Sequence, residues 1–203
     1  DEVYSMNIHI ATAGEKSPVE AAFRYQDKLG NIDKLYIVTG EGYKEKFKNA
    51  QFNIETKVLE VNSFSFESVV SCLVGIYTGE KTRLGKHDKI FMNLTGGTNI
   101  LSVAAYVISM FLGIDCYYLL NEGPIFFEHS DRLYCISEKS KQCLKLFENR
   151  DEVVTSKSNS RHFKILEKKG LVQFSPHTKK KHVGLTPEGK FYFGILKESN
   201  WKI

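Results

Sequence analysis

The chain is short of the features that mark membrane, secreted and metal-bound proteins. Its 203 residues include one tryptophan, four prolines and four cysteines. No apolar run approaches the ~18 residues that a membrane span requires, and no secretory signal pattern precedes the first apolar segment. The cysteines, Cys72, Cys116, Cys135 and Cys143, form no C-x-x-C pair and sit within apolar patterns. They read as reduced, buried thiols without a metal or redox role, in a cytoplasmic protein with no membrane partner. The familiar nucleotide signatures are incomplete. Gly14-Glu-Lys-Ser17 lacks the upstream glycine of a P-loop, and Gly40-Glu-Gly42 lacks the third glycine of a dinucleotide fingerprint.

Charge is nearly absent as a net quantity until the chain is divided. Residues 1–150 hold 17 Lys+Arg against 19 Asp+Glu, a net of −2. Residues 151–203 hold 11 against 5, a net of +6, so the whole excess of +4 lies in the last quarter. A near-neutral domain followed by a small basic module with an anionic partner is the organisation this implies.

In the first 136 residues, short β-branched or aromatic runs alternate with helical patterns. Strands are expected at Asn7–Ala11, Leu35–Val38, Ile54–Val61, Ile90–Leu94 and Cys116–Leu120. Ile125–Glu128 with Leu133–Ile136 reads as a terminal hairpin. Ser17, with Pro18 next and Glu20 three residues on, has the spacing of a helix cap. Further helices are expected at Tyr43–Ala50, Phe66–Thr78 and Thr98–Leu112, the last apolar on most sides. Strands with helices between them imply a parallel sheet covered on both faces. In such α/β sheets ligands bind beyond the carboxyl ends of the strands, where three of the loops here carry glycine: Gly14, Gly40 with Gly42, and Gly96 with Gly97.

The fourth of those strands leaves through Phe91-Met-Asn-Leu-Thr-Gly-Gly-Thr-Asn99. Two adjacent glycines let the backbone take φ > 0 and bring a ligand oxygen close, while the next helix offers unpaired N–H groups and partial positive charge. Asn93, Thr95 and Thr98 add neutral donors. Such a loop suits a phosphodiester; the bland alternative is that the glycines only let the helix pack tightly on the sheet.

"NLTGGTN" after the fourth strand, with the "ATAG" exit from the first, resembles the signature of CARF domains, the CRISPR-associated Rossmann folds, over about residues 6–136. The resemblance implies an α/β, Rossmann-like parallel sheet with a terminal β-hairpin, acting as a homodimer that binds a cyclic oligoadenylate across its two-fold axis. It assigns the pocket to Ala11–Lys16 and Asn93–Asn99, and in particular to Ala11, Thr12, Ala13, Gly14, Lys16, Asn93, Leu94, Thr95, Gly96, Gly97, Thr98 and Asn99. Cyclic tetra-adenylate is the expected ligand, with no other cofactor and no metal. Asn99 stands where many relatives carry Lys or Arg, and Lys16 or Lys44 are the candidates to supply that charge. Tyr43 and Phe64, near the second and third strand exits, are candidate contacts for the adenines.

Residues 137–203 are expected to hold a connecting helix, Glu138–Phe147, and a small winged helix-turn-helix domain. The segment Ser160–Val172, with Leu185-Thr-Pro-Glu-Gly189 downstream, is similar to the recognition helix and wing of MarR-like and ArsR-like regulators. That plan puts Ser156, Lys157, Ser158, Asn159, Arg161 and His162 at the major groove of double-stranded DNA. Lys179, Lys180, Lys181 and His182 on the wing would reach phosphates or the minor groove. Only Arg150–Thr155 is available for the helix that normally precedes the recognition helix.

Together the two resemblances imply a CRISPR-associated transcription regulator of the archaeal Csa type. The alternatives are a ring nuclease that cleaves its own cyclic ligand without metal, and a winged-helix regulator of another small anion. For cleavage, Thr12, Ser17, Thr95 and Lys16 are the residues to position or stabilise the phosphate; no general base is among them, so no catalytic residue is assigned.

Overall fold

The computed structural model describes residues 5–48, 50, 52–127, 136–175 and 181–198. The chain divides into two compact units, Asp1–Arg132 and Leu133–Ile203.

The larger unit runs β1 (Asn7–Thr12), α1 (Ser17–Arg24), α2 (Gln26–Leu29), β2 (Lys34–Gly40), α3 (Glu45–Lys48), β3 (Glu55–Val61), α4 (Phe66–Lys81), β4 (Lys89–Asn93), α5 (Asn99–Leu112), β5 (Asp115–Leu120) and β6 (Gly123–Phe127). Its six strands form one sheet in the order β3-β2-β1-β4-β5-β6. All neighbours are parallel except β5 and β6. This is a Rossmann-like α/β fold. β2 is buried along its whole length, as two-sided cover by helices requires, whereas the edge strand β3 is exposed or half-buried except at its last residue, Val61.

Three local features differ from the sequence reading. Ser17 is the first residue of α1, not its cap: Lys16 takes the cap position, and no side chain supplies a capping bond there. The helix expected over Tyr43–Ala50 is a single turn, α3, with Phe47 as its one buried residue. One apolar anchor holds one turn; a longer helix needs an apolar face. β6 pairs with β5 across the two-residue connection Asn121-Glu122, Leu120 facing Gly123. Of the hairpin arm expected at Leu133–Ile136, residues 133–135 lie outside the described residues, and Ile136 is not in a strand.

His9 sits near the middle of β1, 1% exposed. Its Nδ1 is 2.8 Å from the Tyr117 hydroxyl, its ring lies 5.0 Å from that of Phe91, and Nε2 has no hydrogen-bond partner among the described residues. Burial pulls its pKa from the ordinary 6.5 down to about 4, against a smaller upward pull from Asp33. The unfolded chain therefore takes up this proton at a higher pH than the folded one. Stability from neutral His9 is intact above about pH 6.5 and falls as the pH is lowered, by about 3 kcal/mol at pH 4. Urea unfolding should show wild type losing that much more than His9→Phe between pH 7 and pH 4. Parallel losses would refute it.

The smaller unit runs α6 (Glu138–Lys145), β7 (Glu152–Val154), α7 (Ser160–Lys168), β8 (Val172–Phe174), β9 (His182–Leu185) and α8 (Pro187–Glu198). Its three strands form an antiparallel sheet in the order β7-β9-β8. Val153, Phe163, Leu166, Leu171, Val183, Tyr192, Ile195 and Leu196 are buried. In α8 the buried face is thus Tyr192, Ile195 and Leu196, while Phe191 and Phe193 are half-buried. Glu152–Val154 of the Arg150–Thr155 segment is a strand, because Val153 is buried and pairs with Val183 of β9.

Candidate functional site

Connections from β1 lead outward to β2 and then β3, after which the chain crosses back to β4 on the other side of β1. The switch point between β1 and β4 leaves a crevice at the carboxyl ends of the strands. A cleft of about 450 Å³ opens there. The β1 exit contributes Gly14, Glu15 and Pro18, and the β2 exit Gly40, Tyr43 and Lys46. The β3 exit adds Ser63 and Phe64, and the β4 exit adds Gly97, Thr98 and Leu101.

The β4 exit is built from the inside out. Asn93 is 1% exposed, and its Oδ1 accepts bonds from the Thr95 amide at 2.9 Å and the Thr95 hydroxyl at 2.5 Å. Thr95 Oγ1 in turn accepts from the Leu119 amide at 2.9 Å, tying the loop to β5. Thr12 Oγ1 donates to the Gly96 carbonyl at 2.8 Å, tying it to β1. Thr98 caps α5 by accepting from the Leu101 amide at 3.3 Å and donates to the Ser63 carbonyl at 3.1 Å, tying it to the β3 exit. The hydroxyl hydrogens of Thr95 and Thr98, expected to face a ligand, are thus committed within the protein.

The two glycines do different work. A Cβ on Gly96 would stand 3.0 Å from both Pro18 Cγ and the Thr12 carbonyl, so this glycine serves close packing. Gly97 is exposed, lines the cleft and has φ +94°, a left-handed conformation that side chains disfavour. Immediately beyond it starts the 14-residue helix α5. The amides of its first residues, Asn99 and Ile100, precede any possible intrahelical acceptor and carry the positive end of the helix dipole. Among the described residues that line the cleft, Lys46 is the one cation and Glu15 the one carboxylate.

Of the residues the sequence put in the pocket, Gly14, Gly97 and Thr98 line the cleft. Ala11, Ala13 and Leu94 are buried in the core beneath it, and Thr12 and Asn93 are buried as loop ties. Thr95 and Gly96 are half-buried behind the loop; Lys16 caps α1 and exposed Asn99 opens α5, neither being among the liners. The cation of the cleft is Lys46 rather than Lys16 or Lys44. Its Nζ stands 4.4 Å above the Tyr43 ring. That i, i+3 spacing from Tyr43 was the available sequence signal, and Ser63 carried none. Thr12, Ser17, Thr95 and Lys16, gathered on paper for ring cleavage, are not among the residues lining the cleft.

In the smaller unit, Ser156, Lys157, Ser158 and Asn159 form the turn entering α7, where the Ser156 and Ser158 hydroxyls lie 2.8 Å apart. Arg161 is exposed, while His162 Nδ1 lies 3.5 Å from buried Ser140 Oγ of α6. On β9, His182 Nδ1 is 3.4 Å from a Glu152 carboxylate oxygen, and the Lys181 side chain is exposed. Lys179 and Lys180 lie outside the described residues. Among the described residues no group of His, Cys, Asp or Glu is arranged to hold a metal ion, and no helix is long and apolar enough to cross a membrane.

No protein-family model matches the chain, and no curated protein matches it. Solved structures resemble it in shape. Can2 from Sulfobacillus thermosulfidooxidans, in complex with cyclic tetra-adenylate, has 11% identity and a TM-score of 0.44, over 94% of this chain and 62% of its own. Enterococcus italicus Csm6, bound to cyclic hexa-2'-fluoro-hexa-dAMP, has 13% identity and a TM-score of 0.47, over 81% and 49%. Protein VC1899 from Vibrio cholerae has 12% identity and a TM-score of 0.46, over 96% and 66%. This chain therefore spans between about half and two thirds of each of them.

Proposed function

We propose that the larger unit is a CARF domain that senses a cyclic oligoadenylate, cyclic tetra-adenylate first, and that the smaller unit is a winged helix-turn-helix binding double-stranded DNA. The chain is then a CRISPR-associated transcription regulator working as a homodimer. The observation that carries this reading is the β4 exit: a left-handed Gly97 in the wall of a cleft, opening onto the amides of α5. A phosphodiester fits that chemistry, since the groups offered are backbone donors and little fixed charge.

A ring on a two-fold axis meets identical loops from two copies. Support for a second copy comes from α5, whose Val103 and Tyr106 are exposed and which carries no charged residue. Tyr106 continues onto exposed Phe127 of β6, the rings 5.6 Å apart. Support for the DNA-binding half comes from the order α6-β7-α7-β8-β9 with the sheet order β7-β9-β8, and from the basic excess of residues 151–203. The helix before α7 is replaced by the Ser156–Asn159 turn, so the readers would be Lys157, Ser158 and Arg161 at the entry to α7, with Lys181 on the phosphates. The ring controls DNA only by binding the DNA-competent and DNA-incompetent dimers with different affinity.

Calorimetric titration with cyclic tetra-adenylate, cyclic hexa-adenylate and linear oligoadenylate tests the sensor half. Ring-selective binding at one ring per two chains is expected. Absence of heat with every ring would overturn it and leave a winged-helix regulator of another anion. DNA binding across salt concentrations tests the other half: each of Lys157, Arg161 and Lys181 that neutralises a phosphate lowers the salt slope by about 0.9 when replaced by alanine. Unchanged slopes in all three would remove this surface from the proposal.

A further inference from the structure

The cleft holds an aromatic side chain that the fold does not use. Phe64 is 79% exposed, the most solvated of the large apolar residues among those described. Its backbone is nevertheless fixed on both sides. The Phe64 amide donates to Asn62 Oδ1 at 3.1 Å, and the Ser65 amide to the Asn62 carbonyl at 3.0 Å. Ser65 Oγ caps α4 by accepting from the Ser68 amide at 3.2 Å, and the Thr98 hydroxyl holds the Ser63 carbonyl. A benzyl group left in water on a pinned backbone is a preformed stacking surface, because little ordering remains to be done when a ligand arrives.

Across the same cleft Tyr43 is 44% exposed and carries the Lys46 ammonium 4.4 Å from its ring centroid. That contact fixes the lysine where its charge can serve a phosphate. The β3 exit thus offers the cleft a bare π-face, the β2 exit a cation, and the β4 exit Gly97 and Thr98 at the start of α5. A simple inorganic anion has no use for the first of these.

We propose that the cleft takes a nucleotide unit base-first, with Phe64 stacking on the base and Lys46, held by Tyr43, facing the phosphate. This rests on the sensor reading and deepens it: recognition is of a base with its phosphate, and a volume of about 450 Å³ suits one small ligand portion per copy.

The test is titration of cyclic tetra-adenylate into wild type, Phe64→Ala, Phe64→Trp and Lys46→Met at several salt concentrations. Phe64→Ala should weaken binding about ten- to a hundredfold with an unchanged salt slope. Phe64→Trp should stay within about threefold of wild type. Lys46→Met should flatten the slope by about 0.7. Equal affinity in wild type and Phe64→Ala would overturn the stacking proposal while leaving the sensor reading intact. If wild type binds no ring, the fluorescence of Phe64→Trp with millimolar adenosine 5'-monophosphate, against inorganic phosphate, decides. Quenching by the nucleotide alone supports a base platform without a cyclic ligand; no quenching overturns both.

Discussion

Replacing Gly97 by Asp should abolish measurable binding of cyclic tetra-adenylate and leave the fold standing. Residue 97 has φ +94°, and a Cβ there would come within 2.9 Å of Leu101 Cδ1, the movable end of a side chain. The strain costs about 1–3 kcal/mol, a shift of a few degrees in melting temperature for a domain of this size. The carboxylate does more. It would enter the cleft beside the first amides of α5, satisfy them itself, and repel a phosphate by about 4 kcal/mol at a separation of 4 Å under an effective dielectric of 20. A loss of at least about a hundredfold follows. Gly97→Ala carries the strain without the charge and should retain most of the affinity. Calorimetry on both variants checks this. Equal losses would assign the effect to backbone strain, and no loss in Gly97→Asp would remove the anion cradle altogether.

Lys34→Met should be the most destabilising of the substitutions considered, costing about 3–5 kcal/mol. Lys34 opens β2 with 7% exposure, and Glu80 lies against it on α4 with 4%. Lys34 Nζ is 3.0 Å from Glu80 Oε1 and 3.1 Å from Glu55 Oε1, and the Tyr36 hydroxyl donates to Glu80 Oε1 as well. Burial opposes both charges, but these bonds outweigh it: Glu80 is held below the usual carboxylate range and Lys34 above the usual lysine range. Removing the ammonium leaves a carboxylate facing Tyr36 and, at 3.9 Å, the mostly exposed Arg83. The double variant Lys34→Met, Glu80→Gln removes both charges and keeps an acceptor for Tyr36, so it should recover more than half of the loss. Urea unfolding of the three proteins decides it. A double variant no more stable than Lys34→Met alone would show that packing, not the stranded charge, sets the cost.

The parallel sheet was legible because β1, β2 and β4 are apolar enough to be buried on both faces, and because Gly96-Gly97 followed by a hydroxyl and an apolar run marks a strand entering a helix. Thr98 as the cap of α5 belongs to the same signal. What could not be read was the direction of the polar side chains around it. Asn93, Thr95 and Thr98 look like ligand donors in a linear text, yet their donors go to acceptors within the protein: the Asn93 amide to the Pro18 carbonyl, the Thr95 hydroxyl to Asn93 Oδ1, and the Thr98 hydroxyl to the Ser63 carbonyl. The strand β7 was hidden for a related reason. Three residues carry no usable period, and only their pairing with Val183 and its neighbours makes them a strand. Lys46 escaped notice because α3 is one turn long and its register is set by Phe47 alone.

Thr98 joins three things that are otherwise independent: the start of α5, the β3 exit through Ser63, and the floor of the cleft. Thr12 fastens the preceding residue pair to β1. A loop moored at so many points fixes where α5 begins, and the helix carries that fixed position over 14 residues, about 21 Å, to its left-handed end at Gly113.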